Sequence, residues 1–81
     1  MSFAAEVHVT LKPGIADPQG NVIERALPAL GYRGVQNVRV GKLIQLEVDA
    51  ADLDEARARV AEMCDKLLAN PVIESYEVTI R

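Results

Sequence analysis

The chain has 81 residues, of which 49% are hydrophobic, and a net charge of −3. That is one small globular domain, too apolar to be disordered and too acidic to favour nucleic acid or an anionic membrane as partner. Its single cysteine, Cys64, excludes an intramolecular disulfide and fits a reducing compartment.

Phe3 to Leu11 alternates. Phe3, Ala5, Val7, Val9 and Leu11 face one way, while Ala4, Glu6, His8 and Thr10 face the other, as in a strand with one buried face. Lys12-Pro13-Gly14 ends it. Asp17 then offers an N-cap carboxylate, and Pro18 suits the first helical position. The first helix carries Val22, Ile23, Ala26, Leu27 and Leu30 on one stripe, with Pro28 loosening its last turn and Gly31 or Gly34 supplying the exit.

A second strand is expected at Val38 to Val40, turning at Gly41-Lys42 into a third that places Ile44, Leu46 and Val48 inward. Asp52, with Glu55 three residues on, opens a second helix through a capping-box-like start. Its apolar stripe is Leu53, Ala56, Val60, Met63, Cys64, Leu67 and Leu68, and Asn70-Pro71 stops it. A last strand follows, with Val72, Tyr76, Val78 and Ile80 sharing a face. The stretch after each helix has the same outline: a leucine, a turn, then a valine opening a strand.

The order βαββαβ predicts a ferredoxin-like α+β sandwich in a single domain spanning 1–81, with a four-stranded antiparallel sheet and both helices on one face. The other face would carry Glu6, His8, Thr10, Asn37, Arg39, Gln45, Glu47, Glu77 and Thr79, with no helix to cover it. It would meet either water or another copy.

Chemistry is sparse. One histidine without a cysteine pair argues against zinc or copper, and the alternation sends His8 and Cys64 to opposite sides of the sheet. No phosphate loop or GxGxxG occurs. The strands offer no outward aromatic on which RNA bases could stack. Gly31-Tyr32-Arg33-Gly34 has the GxxG spacing of a KH clamp but falls in the wrong element order. No apolar run reaches the ~20 residues of a membrane span, and the first residues do not read as a signal peptide, so a cytoplasmic location is expected. An ACT-like small-molecule-sensing domain stays open as an alternative, because such sites are built largely from backbone.

Three stretches resemble the PurS family, the small subunits of bacterial phosphoribosylformylglycinamidine synthase. They are Asp17-Pro18-Gln19-Gly20, Val35-Gln36-Asn37-Val38-Arg39-Val40-Gly41-Lys42, and the long run from Met63 to Tyr76. The resemblance spans nearly the whole chain; Pro28 is its one small departure. It implies a non-catalytic assembly subunit of a ligase that converts formylglycinamide ribonucleotide to formylglycinamidine ribonucleotide in purine synthesis, using ATP and glutamine. It implies no cofactor and no catalytic or metal residue on this chain, with ATP and magnesium held by a large synthetase subunit. The partners it implies are that synthetase, a glutaminase subunit, and further copies of this chain as a dimer or dimer of dimers. Arg39, Lys42, Asp17, Gln19 and Asn70 are the candidate subunit contacts. Arg39 and Lys42 are long cations able to reach a carboxylate on another subunit.

Overall fold

Strand β1 (Ser2–Leu11) forms the middle of the sheet in the computed structural model, which describes residues 1–81. Its alternation survives into three dimensions: Ala5, Val7 and Val9 are buried, and Glu6, His8 and Thr10 face the other way. The remaining elements are helix α1 (Pro18–Ala29), strand β2 (Lys42–Asp49), helix α2 (Leu53–Met63) and strand β3 (Glu74–Ile80). Both flanking strands are antiparallel to β1, in the order β2-β1-β3. Val7 lies opposite Ile44 on one side and Val78 on the other, so the inward residues of all three strands share one face.

Helix α2 covers that face. Its Ala56 and Val60 lie against the buried β1 residues, and Cys64 completes the cluster beyond its end. The N-terminus of α2 is built as the sequence predicts. The backbone N–H of Glu55 donates to Asp52 Oδ1 at 2.8 Å, and Glu55 Oε2 in turn accepts from the N–H of Ala51 at 3.1 Å. After Met63 the helix widens into one π-helical turn, Cys64–Leu68, closed by the N–H of Ala69 donating to the Cys64 carbonyl five residues back. Tyr76 on β3 braces this turn by donating its hydroxyl to Asp65 at 3.0 Å.

Two expectations fail. The sheet has three strands, not four, because Val38 to Val40 joins no ladder. Asn37 adopts a left-handed φ of 61°, and the extended residues after it turn their N–H groups to α1 instead of a strand. The N–H of Val38 donates to Glu24 at 2.9 Å and that of Val40 to Asp17 at 2.8 Å, so two carboxylates stand where a neighbouring strand would. With no strand there, no hairpin forms at Gly41-Lys42, and Asn37 and Arg39 do not join the open sheet face.

The second failure concerns α1. It was expected beside α2, yet it packs substantially on no strand or helix. Its only buried residue is Gly20, and Val22, Ile23 and Leu30 are exposed. The molecule measures 51 × 25 × 14 Å with a radius of gyration of 16.3 Å, against about 12 Å for a compact chain of this length. Only 11 of 81 residues are buried, and α2 is the only helix of this chain on the inward sheet face. Phe3, Ile44, Leu46, Tyr76, Val78 and Ile80 are accordingly only partly buried.

Candidate functional site

The loop that ends β1, the first turn of α1, the 35–41 segment and the start of β2 converge at one end of the sheet. Asp17 organises the convergence. As the N-cap of α1 it accepts from the N–H of Gly20 through Oδ1 at 2.9 Å, and through Oδ2 it holds Val40 at 2.8 Å. The two N–H groups, Gly20 first, hold its carboxyl below the usual carboxylate range, and the nearby Arg39 guanidinium adds to the effect. Asp17 is 5% exposed, the one charged residue buried in the chain.

Space is tight on both sides of this knot. A Cβ added at Gly20 would lie 2.5 Å from the Val38 carbonyl oxygen and 2.7 Å from Asp17 Oδ2. One added at Gly41 would lie 2.6 Å from the Val9 carbonyl oxygen, so the segment passes β1 at a distance only glycine allows. Gly20→Ala is expected to push the 35–41 segment off α1 and cost about 1–3 kcal/mol, as overpacking does. Urea unfolding measures it; an unchanged midpoint would mean the segment is not fixed there.

Beneath the knot opens a cleft of about 390 Å³, lined by Val9, Leu11, Ala16, Asp17, Pro18, Gln19, Val40, Gly41, Lys42 and Glu74. Val9, Leu11, Ala16 and Val40 are its apolar lining, Asp17 is buried in it, and Lys42 stands at its exposed edge. Lys42 Nζ lies 3.7 Å from Glu74 Oε2, while Glu74 Oε1 accepts from the Asn70 N–H at 2.7 Å. Arg39 reaches back over the loop, donating to the carbonyls of Ile15 at 3.4 Å and Lys12 at 3.3 Å. Lys12 itself donates to the Pro71 carbonyl at 2.6 Å.

All five candidate residues therefore fall at one place. Asp17, Gln19 and Lys42 line the cleft, Arg39 spans its outer loop, and Asn70 positions the Glu74 wall. Glu24, which ties the 35–41 segment, carried no signal in the sequence, being a lone glutamate off the apolar stripe of α1. Glu74, on the far wall, did carry one, since the alternation of β3 places it in phase with the inward Tyr76, Val78 and Ile80.

The open sheet face holds a shallower pocket of about 320 Å³ around Glu6, Gln45, Glu47 and Arg81. There Glu6 accepts from Arg81 at 2.9 Å and from Gln45 at 3.4 Å. His8 is exposed on that face, while Cys64 is fully buried beneath the opposite one, and burial pushes its thiol pKa up. They form no nucleophilic pair. No group of three or more His, Cys, Asp or Glu is placed to hold a metal ion, and no helix is long and apolar enough to cross a membrane.

Comparison with known proteins gives one family throughout. The family model for PurS, phosphoribosylformylglycinamidine (FGAM) synthase, matches residues 4–81. The chain is 43% identical over 77 residues to the phosphoribosylformylglycinamidine synthase subunit PurS of Archaeoglobus fulgidus, covering 95% of this chain and 96% of that one. It is 47% identical over 75 residues to the Mycobacterium leprae subunit, covering 93% and 91%. Among solved structures it is similar to a chain of PurLQS from Thermotoga maritima, with a TM-score of 0.91 at 37% identity, covering 100% of this chain and 99% of that one. The Methanocaldococcus jannaschii PurS, one of the subunits of formylglycinamide ribonucleotide amidotransferase in the purine biosynthetic pathway, gives 0.86 at 39% identity, covering 98% and 95%.

Proposed function

The chain belongs to the PurS family of phosphoribosylformylglycinamidine synthase subunits, and from that membership we propose how it serves the enzyme. It is a non-catalytic subunit of the ligase that forms formylglycinamidine ribonucleotide in purine biosynthesis. Its partners are the synthetase and glutaminase subunits, PurL and PurQ, and it brings the two together for ammonia transfer. The likeness to the whole of a chain in the Thermotoga maritima PurLQS assembly carries this reading. The same membership replaces the ACT-type alternative.

ATP and magnesium belong, on this reading, to the synthetase subunit, and this chain holds no cofactor. A cytoplasmic location goes with it. Self-association is the other part. A 12-residue helix with a proline inside it is not stable in water on its own, and α1 finds almost no packing within its own chain. A second copy supplies the missing surface: the α1 stripe meets the partly covered sheet half of its partner, completing a two-layer sandwich across the pair.

Co-purification tests the assembly role. The chain is expected to form a stoichiometric complex with the synthetase and glutaminase subunits. Failure to bind either one, with all three shown folded, would overturn it.

A further inference from the structure

We infer that the cleft at the end of the sheet is a docking site for an acidic segment of another synthase subunit, with a partner carboxylate on the Arg39–Lys42 rim and an aliphatic side chain against Leu11, Ala16 and Val40. The inference rests on the assembly role proposed above and adds to it the place of contact and the chemistry of the partner.

The distribution of charge argues for it. Both acids of the cleft are turned inward and already engaged. Asp17 is spent on the N–H groups of Gly20 and Val40, and Glu74, with its side chain 16% exposed, on that of Asn70. The cations are turned outward. Lys42 keeps 60% of its side chain exposed and meets Glu74 only at 3.7 Å. Arg39 lies near the Asp17 carboxylate but makes no salt bridge, and it donates only to two carbonyls at 3.3 and 3.4 Å.

A chain of net charge −3 thus presents two exposed cations, Lys42 and Arg39, beside a partly apolar cleft at this one end. A guanidinium held by long bonds to neutral acceptors gains from a charged one, since charge-assisted bonds are shorter and about twice as strong. The apolar lining takes an aliphatic side chain without displacing any polar contact. An acidic, partly apolar strand or loop of the partner matches both features.

The test is a binding titration of this chain with the synthetase and glutaminase subunits, using Arg39→Glu, Lys42→Glu and, as a control of equal charge change outside the cleft, Arg57→Glu on α2. Both cleft reversals are expected to weaken the complex about tenfold or more and to flatten its salt dependence. Arg39→Lys and Arg57→Glu are expected to stay near wild type. Circular dichroism confirms the fold of each variant, and light scattering gives the mass of each alone.

Wild-type association with unchanged affinity in both reversals would overturn the inference and leave the assembly role standing. So would reversals that lower only the mass of the chain alone, because the cleft would then hold a second copy. Absence of any association by the wild-type chain would overturn both.

Discussion

Asp17→Ala is expected to free the Val40 end of the 35–41 segment from α1, leaving Val38 on Glu24, and to lower the melting temperature by on the order of 10 °C, a large shift for a domain this small. The side chain performs two tasks that are usually separate. It caps α1 at Gly20, and it holds Val40, whose N–H joins no strand. Alanine removes both acceptors at once and leaves donors facing protein in place of water. Asp17→Asn, with one acceptor oxygen left, is expected to fall between alanine and wild type. Thermal unfolding followed by circular dichroism separates the three. Equal melting temperatures for alanine and wild type would mean that the segment is held by something other than this carboxylate.

The same bonds set a pH dependence. They lower the Asp17 pKa in the folded chain, so the charged form is the one that folding favours. The stabilisation is complete above the unfolded value of about 3.9 and is lost as pH falls through the lower folded value. Asp17→Ala is therefore expected to flatten part of the acid limb of the stability curve while leaving its shape above about pH 5 unchanged.

Charging the exposed stripe of α1 is expected to have the second large effect. Ile23 is 42% and Leu30 71% exposed within the chain, so Ile23→Glu combined with Leu30→Glu disturbs little of the chain's own packing. Against a second copy the still exposed part of each would be buried, contributing about 1–2 kcal/mol per residue. The double variant is expected to weaken self-association by at least about a hundredfold, shifting mass toward monomer at micromolar concentration and lowering helical signal as α1 loses its support. Unchanged mass in light scattering would move the self-contact away from α1.

Local chemistry was legible wherever the sequence alone determines the outcome. The alternation of β1 reports a strand with one wet face. Asp17-Pro18 and Asp52-Glu55 mark helix starts, because a cap needs only residues adjacent in the chain. Gly31 does leave α1 at a positive φ of 95°, where Tyr32 donates back to Leu27. The fourth strand misled for a physical reason. Val38 and Val40 have strand-like spacing, but Glu24 and Asp17 take up their N–H groups, and nothing in an alternating pattern reveals a carboxylate more than a dozen residues away.

The stretches after the two helices share an outline, yet they end differently. After α2 the chain reaches β1 and pairs as β3; after α1 it stays bound to its own helix. The apolar stripe of α1 was legible as a stripe, and what it could not say is which molecule it faces. The candidate contacts Asp17, Gln19, Arg39, Lys42 and Asn70 came from three separate stretches of the chain. Their convergence on one cleft follows from the loop geometry around Asp17, which no spacing rule contains.

The most direct test of the assembly role is glutamine-dependent synthesis of formylglycinamidine ribonucleotide by the purified synthetase and glutaminase subunits, titrated with this chain. The assembly role predicts little activity without it and a rise that saturates at a fixed stoichiometry. Full glutamine-dependent activity in its absence, from subunits shown to be intact, would contradict the account.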